Sequence, residues 1–502
     1  MKELLFVILL GFNIATAYAQ KDHDITRYGA SITAHNNATS IQKAIDAAAV
    51  NGGGRVIVPA GRFTTGPVVL KNNVELHLAP DAELSGSTDR LDYTVGKMAL
   101  ISAQGQHHVS ITGKGTINGQ AHLLISNLMQ VLRAGKLQDD LWRTKRPTEQ
   151  NRPNLLFFKN CKQVRVTGVT LRDAASWVQN YKECDGVRID SMTVNSTAYW
   201  NNDGIDIVDS KNVTISNSYF NAADDAICLK SEIADGACEN VLVENCTLRS
   251  SASGFKLGTG SLGGFKNIKV SNLKIYDTYR SAIALEAVDG GNIENVEVNG
   301  VNAQNTGNAI FIRLGHRNQD QRYSTVNKIL IQNMKVEVPA GKPDIGYPME
   351  GPLPKVAPHN LLPSSITGLP GHPVTNITLR NIDITYGGGA SKEKAYVSLD
   401  SLNAITENPA GYPEFTMFGE LPSWALYTRH AQNIKLEGLK LNLQAADFRP
   451  GMVFDDVTGL IMNKVAIPKD VSLPALVYKN VQKLSTVDLD IPSGKEGVLT
   501  VR

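Results

Sequence analysis

One phrase returns along most of the chain: a polar corner, often asparagine, followed by β-branched residues that alternate with polar ones. It reads Gln163-Val164-Arg165-Val166, Gly186-Val187-Arg188-Ile189, Asn212-Val213-Thr214-Ile215 and Asn240-Val241-Leu242-Val243. It continues as Asn267-Ile268-Lys269-Val270, Asn292-Ile293-Glu294-Asn295-Val296, Asn376-Ile377-Thr378-Leu379 and Asn433-Ile434-Lys435-Leu436. Apolar-in, polar-out alternation with period two predicts half-buried strands. The interval, roughly 23 to 28 residues in the central part, is that of a solenoid. A single coil cannot bury its apolar face, whereas stacked coils bury a continuous one. A β-sandwich is the competing architecture, but it needs no constant interval. The prediction is an all-β fold, a single-stranded right-handed parallel β-helix forming one domain over 20–502. Asparagines at the repeated corner are expected to stack and to satisfy buried backbone groups there.

Three segments break the rhythm. Residues 120–152 carry Leu123-Leu124-Ile125 through Leu132 and Leu141-Trp142, which predicts a partly helical insertion. Residues 338–373 hold Pro339, Pro343, Pro348, Pro352, Pro354, Pro358 and Pro363, a density that argues against central strands. Residues 386–430 run from Gly387-Gly388-Gly389 past Tyr412-Pro413-Glu414 to Trp424 and Tyr427. Long insertions in a compact fold are often binding walls. For Trp424 and Tyr427, stacking on sugar rings and packing in the core both stay open.

Composition narrows the setting. Lys2, the apolar run Leu4 to Leu10 and Ala17-Tyr18-Ala19 before Gln20 read as a secretory leader over 1–19, cut after Ala19. The expected location is secreted or periplasmic, with no membrane association, since no other stretch has the apolar length to span a bilayer. A net charge of +2 and a pI near 8.1 give no case for a nucleic-acid partner. Five cysteines are an odd number for an exported protein. Cys161, Cys184 and Cys238 each stand three residues before a strand valine, which predicts a buried thiol ladder. Adjacent strands lie about 4.8 Å apart, so a Cys161–Cys184 disulfide is the alternative. No C-x-x-C or H-E-x-x-H spacing indicates a metal.

The chemistry concentrates in Asn201-Asn202-Asp203-Gly204-Ile205-Asp206 and, one repeat later, Asp224-Asp225. Isolated carboxylates among apolar strands are costly to bury. If the two segments lie on successive coils, the 21-residue offset from Asp203 to Asp224 brings the acids together on one face. Glycoside hydrolysis needs such a set: one acid to protonate the leaving oxygen, another to activate water. Polar turns with Asn/Asp caps are the plainer reading.

The opening Asp24-Ile25-Thr26-Arg27-Tyr28-Gly29-Ala30, then Ile41-Gln42-Lys43-Ala44-Ile45-Asp46, and Gly52-Gly53-Gly54-Arg55-Val56-Ile57-Val58-Pro59 resemble a polygalacturonase. With the acids, the chain resembles glycoside hydrolase family 28, the pectin-cleaving β-helices, from the N-terminal cap to about residue 300. The resemblance implies that Asn201-Asn202-Asp203 and Asp224-Asp225 are the family's Asn-Thr-Asp and Asp-Asp motifs. Asp224 is then the general acid, Asp203 and Asp225 hold the attacking water, and cleavage inverts without metal or cofactor. An acid–base separation of about 6.5–9.5 Å fits inversion. The implied partner is a pectic polysaccharide or oligosaccharide containing uronic acid, of galacturonan or rhamnogalacturonan type. Insertions walling off one end of the cleft imply exo action, and a capped solenoid is by default a monomer.

Two departures stand out. The family's Gly-His-Gly histidine is absent from Ser251 to Thr259, and neither base of its Arg-Ile-Lys motif falls in place in Arg280-Ser281-Ala282-Ile283-Ala284-Leu285-Glu286. Rhamnogalacturonan hydrolases of the family also lack that histidine, and Gly258-Thr259-Gly260-Ser261-Leu262-Gly263 is similar to their version. Replacement substrate ligands are Asn201, Lys230, Lys256, Arg280, Glu286 and Arg313. Each has a structural counterpart: a solvated lysine, a Lys256–Glu286 ion pair, an arginine bracing a turn. The alternatives in function are a non-catalytic carbohydrate-binding β-helix, or a hydrolase or lyase acting on another acidic polysaccharide.

Overall fold

The computed structural model describes residues 21–94, 98–348, 362–391, 393, 397–468, 474–492 and 497–501. The leader expected over 1–19, and Pro352, Pro354 and Pro358, lie outside the described residues. Every ladder between named strands is parallel, and the coils wind as a right-handed β-helix, the hand that parallel crossovers take. The recurring phrase is the register itself. Val109, Val164, Val187, Val213, Val241, Ile268, Val296, Ile329, Ile377, Ile434, Leu460 and Leu484 stand directly above one another on successive coils. All but the terminal Leu484 are buried, in one core that runs from Ile25 to Tyr478.

The helix Ala38–Val50 closes the N-terminal end by setting Ile41, Ala44, Ile45 and Ala48 into that core. Among the described residues no helix is long and apolar enough to cross a membrane.

The corners use asparagine for a backbone reason. Asn212, Asn240, Asn267 and Asn295 have φ between 55° and 58°, the left-handed region that asparagine tolerates better than most side chains. Their amides hydrogen-bond one to the next, at 3.3, 3.1 and 2.7 Å, on the solvent side of the turn. The stacking is as expected, but the amides satisfy one another and not buried backbone groups.

The insertions divide differently from the expectation. Ala121–Arg133 is the predicted helix, and its Leu124, Leu128 and Leu132 form a small second core with Tyr93 and Ala175. The proline-rich segment does contain a central strand. Ser364–Thr367, immediately after Pro363, pairs with one coil through Phe311–Ser365 and with the next through Ser365–Tyr427. Prolines bar only the residues they occupy, and these four are free of them. The last break is shorter than 386–430, because strands run to Gly388 and resume at Leu426. Trp424 and Tyr427 are both fully buried, so core packing is the reading that stands; Trp424 meets Tyr386 edge-on at 5.6 Å.

All five cysteines are free and buried, so the ladder stands and the Cys161–Cys184 bridge does not. Serine fills the missing rung, since Ser210 Oγ accepts from Cys184 N at 2.9 Å. A thiol reagent is expected to modify none of the five in the native protein and all five in denaturant. Replacing Ile268, in the middle of the apolar column, with alanine should cost about 2–5 kcal/mol, read from the denaturant midpoint.

Candidate active site

Parallel stacking makes the acids neighbours. Asp203 O accepts from Val178 N and Asp225 O from Gly204 N, each at 2.9 Å, so Asp203 and Asp225 hold equivalent positions on successive coils. Asn202 fixes the loop in front of them. Its Nδ2 donates to Ala174 O and Ser176 O at 2.8 Å, and its Oδ1 accepts from Tyr199 N at 3.1 Å. Glycine follows Asp203 because a Cβ at Gly204 would lie 2.5 Å from Ala226 O.

Two lysines, a half-buried Lys230 and a buried Lys256, neutralise this array. Lys230 Nζ lies 2.9 Å from Asp203 Oδ2, also pairs with Asp206, and sits 4.2 Å from the Trp177 ring centre. Lys256, one rung on from Cys228 in the strand ladder, is 1 % exposed. Its Nζ stands 3.0 Å from Asp225 Oδ2 and 3.8 Å from Glu286 Oε2, and donates to Tyr412 Oη at 3.4 Å. Asp225 Oδ1 accepts from Ser253 N at 2.9 Å. Arg280 Nε lies 3.5 Å from Glu414 Oε2. Glu286 Oε2 accepts from Thr259 Oγ1 at 3.4 Å.

These contacts split the acids into two kinds. Asp224 is half-buried and makes no ion pair among the described residues; desolvation first, then repulsion from Asp203 and Asp225, pushes its carboxyl up to about 7 against the pull of Arg280 and Lys256. Asp225 feels the same desolvation, but Lys256, Arg280 and Lys230 outweigh it and hold it below the usual carboxylate range. Burial raises Asp203, with Lys230 pulling it back, and raises Asp206 much further. Burial also lifts Glu286 to about 7 despite Lys256. A protonated carboxyl beside an ionised carboxylate is the arrangement of an acid and a base that act together near neutral pH. Asp203, Asp225 and Cys228 present ligand atoms within 4.8 Å of one another. Both carboxylates already face a lysine ammonium, so the donor set suits the two lysines better than a metal ion.

Of the residues picked from sequence, Asp203, Asp224, Asp225, Lys230, Lys256, Arg280 and Glu286 come together. Asn201 sits at the edge, its Oδ1 accepting from buried Arg152 Nη2 at 2.7 Å. Arg313 does not join them. Its guanidinium donates to Gly368 O, Glu407 O and Asn408 O, so it braces a turn. Arg317 pairs with Asp289, and Arg429 with Glu407 and Asp455. The sequence reading missed Trp177, Asp206, Tyr412 and Glu414. Asp206 had a signal, an acid inside an apolar strand; the other three had none.

The family model of glycosyl hydrolases family 28 matches residues 51–345, more than half of the chain. An exo-poly-alpha-D-galacturonosidase of Dickeya chrysanthemi is 25% identical over 327 residues, which is 55% of this chain and 54% of that enzyme. The chain thus spans about half the length of that relative. A polygalacturonase of Nicotiana tabacum is 24% identical over 392 residues, 74% of this chain and 87% of its own. A hyperthermoactive exopolygalacturonase from Thermotoga maritima shares the fold, with a TM-score of 0.57 at 23% identity over 73% of this chain and 87% of that one. With a family match of this extent, the chain belongs to glycosyl hydrolases family 28 and is a glycoside hydrolase.

Proposed function

We propose that this glycoside hydrolase cleaves a uronic-acid-containing pectic polysaccharide or oligosaccharide from a chain end, with inversion, and that it acts outside the cytoplasm. One arrangement carries the reading: Lys256 Nζ stands 3.0 Å from Asp225 Oδ2 and holds that carboxyl below its usual range, while burial and the neighbouring acids push Asp224 up to about 7. Asp224 then protonates the leaving glycosidic oxygen. Asp203 and Asp225 hold a water against the anomeric carbon and take its proton as the bond breaks. Lys230 and Lys256 keep that pair in position, and Lys256 holds Asp225 below the usual carboxylate range. The relatives' names supply the pectic substrate class.

Exo action is read from an apolar cluster one coil beyond Lys256. One coil beyond Lys256 stands Ala284, and Phe311 follows it. Phe415 from the insertion joins both in one apolar cluster with Tyr279 and Leu362, across the line along which a polymer would run from coil to coil. An end wall suits a chain terminus better than the middle of a polymer. The leader-like residues 1–19 support export.

Asp224→Asn is expected to lower turnover by about 10²–10⁴-fold while leaving circular dichroism unchanged and the thermal midpoint no lower than that of the wild type; a variant of undiminished activity would overturn the assignment. Incubation with polygalacturonan, rhamnogalacturonan and pectic oligosaccharides should release monosaccharide first, and early NMR spectra should show the anomer opposite to the bond cleaved. A ladder of internal fragments at early times speaks for endo action.

The pH profile follows from the two carboxyls. Activity should fall as pH rises through about 7, when Asp224 loses its proton, and should persist well into the acid range because Asp225 protonates late. Stability carries the same sign. Asp224 and Glu286 are both raised on folding, from 3.8 and 4.5 to about 7, so their contribution is complete below the unfolded values. It is lost as pH climbs through 7. Glu286→Gln should flatten that part of the stability curve in denaturant titrations.

A further inference from the structure

Tyr412 is half in solvent, 52% exposed, yet its placement is tightly fixed. The turn before it, Asn408 to Gly411, closes with Gly411 N donating to Asn408 O at 3.1 Å. Arg313 donates to Glu407 O and Asn408 O from beneath, and His316 N donates to Pro409 O at 2.8 Å. Three residues after Tyr412, Phe415 is driven into the apolar wall, edge-on to Tyr279 at 5.7 Å. The insertion is thus anchored on both sides of the ring it presents. That ring lies over the site: Lys256 Nζ is 5.5 Å and the Arg280 guanidinium 5.7 Å from its centre.

The charges beneath the ring are already matched. Lys230 faces Asp203 and Asp206, Lys256 faces Asp225 and Glu286, and Arg280 faces Glu414 and the field of Asp224. Six carboxyl groups stand against three cations. The next cations outward are also paired, Arg317 with Asp289 at 2.8 Å and Lys342 with Asp344 at 2.6 Å. Lys230, Lys256 and Arg280 each already face a carboxyl group, so a sugar carboxylate would have to compete with a built-in partner for every cation under the ring. What the place does offer a sugar is an immobilised aromatic face with hydrogen-bonding groups below it, which suits a pyranose ring.

We infer that Tyr412 is a specificity-determining platform on which an uncharged pyranose stacks at the subsite over Lys256 and Arg280. In a pectic chain this subsite accepts a neutral or carboxyl-masked sugar in preference to a free uronate. The inference rests on the glycosidase reading for its setting, and binding tests it separately from turnover. Two probes of the same linkage and length differ only in charge: oligogalacturonides and the same oligosaccharides after carboxyl reduction. Hydrolysis of both is measured for the wild type, Tyr412→Ala and Tyr412→Phe at one fixed pH, and calorimetric binding of both to Asp224→Asn.

The carboxyl-reduced probe should show the higher kcat/KM and the tighter binding. Tyr412→Ala should raise its KM by about tenfold with kcat little changed. Tyr412→Phe, which keeps the ring and loses the hydroxyl that Lys256 meets, should recover most of the KM lost in Tyr412→Ala, and this variant separates lost stacking from a disturbed loop. Preference for the acidic probe, in turnover or in binding, overturns the inference, as does an unchanged KM in Tyr412→Ala. If neither probe is cleaved but the reduced one binds more tightly, the hydrolytic reading fails for this linkage and the subsite stands. If neither binds, the subsite falls too.

Discussion

The in-register stacking of coils at strand spacing governs everything else in this protein. A coil with one apolar face has nothing of its own to cover the next layer of core, so each coil is stable only against its neighbours. Stacking at about 4.8 Å then forces like positions together. Where the position is Val or Ile, the result is a dry column from Val109 onward. Where it is Asn in a left-handed corner, the result is an amide ladder. Where it is Asp, as at 203 and 225, the same rule brings two carboxylates within a few ångströms.

Like charges so close do not stay buried without compensation, and the chain supplies it from the same columns. Lys230 and Lys256 come from the two coils that follow Asp203, and each bridges a pair of acids. An array of this kind is a poor source of stability, since the desolvation of each ion rivals the attraction it gains. Its effect is to separate the proton affinities of adjacent carboxyls. Asp225, in contact with an ammonium, stays ionised; Asp224, crowded by Asp203 and Asp225, keeps its proton far above the usual range. The difference between an acid and a base arises here from which carboxylate the lysine reaches.

The insertions act on this site from outside the repeat. The 121–133 helix and its small core flank the coil that carries Asn202, while the segment after Gly388 sends Phe415 into an apolar cluster with Tyr279 and Phe311 and sets Tyr412 over the cations. Arg313, the basic residue that looked from sequence like a carboxylate ligand, serves here by gripping the turn that presents Tyr412.

The repeat, the parallel stacking and the convergence of Asp203, Asp224 and Asp225 were all legible in the sequence, because a solenoid makes spatial adjacency a linear function of chain position. Lys230, Lys256 and Glu286 were legible for the same reason. The tertiary structure alone decided the rest. The strand Ser364–Thr367 sits behind a proline too close for pattern to resolve. Trp424 and Tyr427 turn inward because coils close over them. Tyr412 and Glu414 reach Lys256 and Arg280 across more than 130 residues of chain, through a loop that obeys no period. Periodicity encodes contacts between coils; contacts made by an insertion depend on how its own anchors pack, and no spacing in the sequence records that.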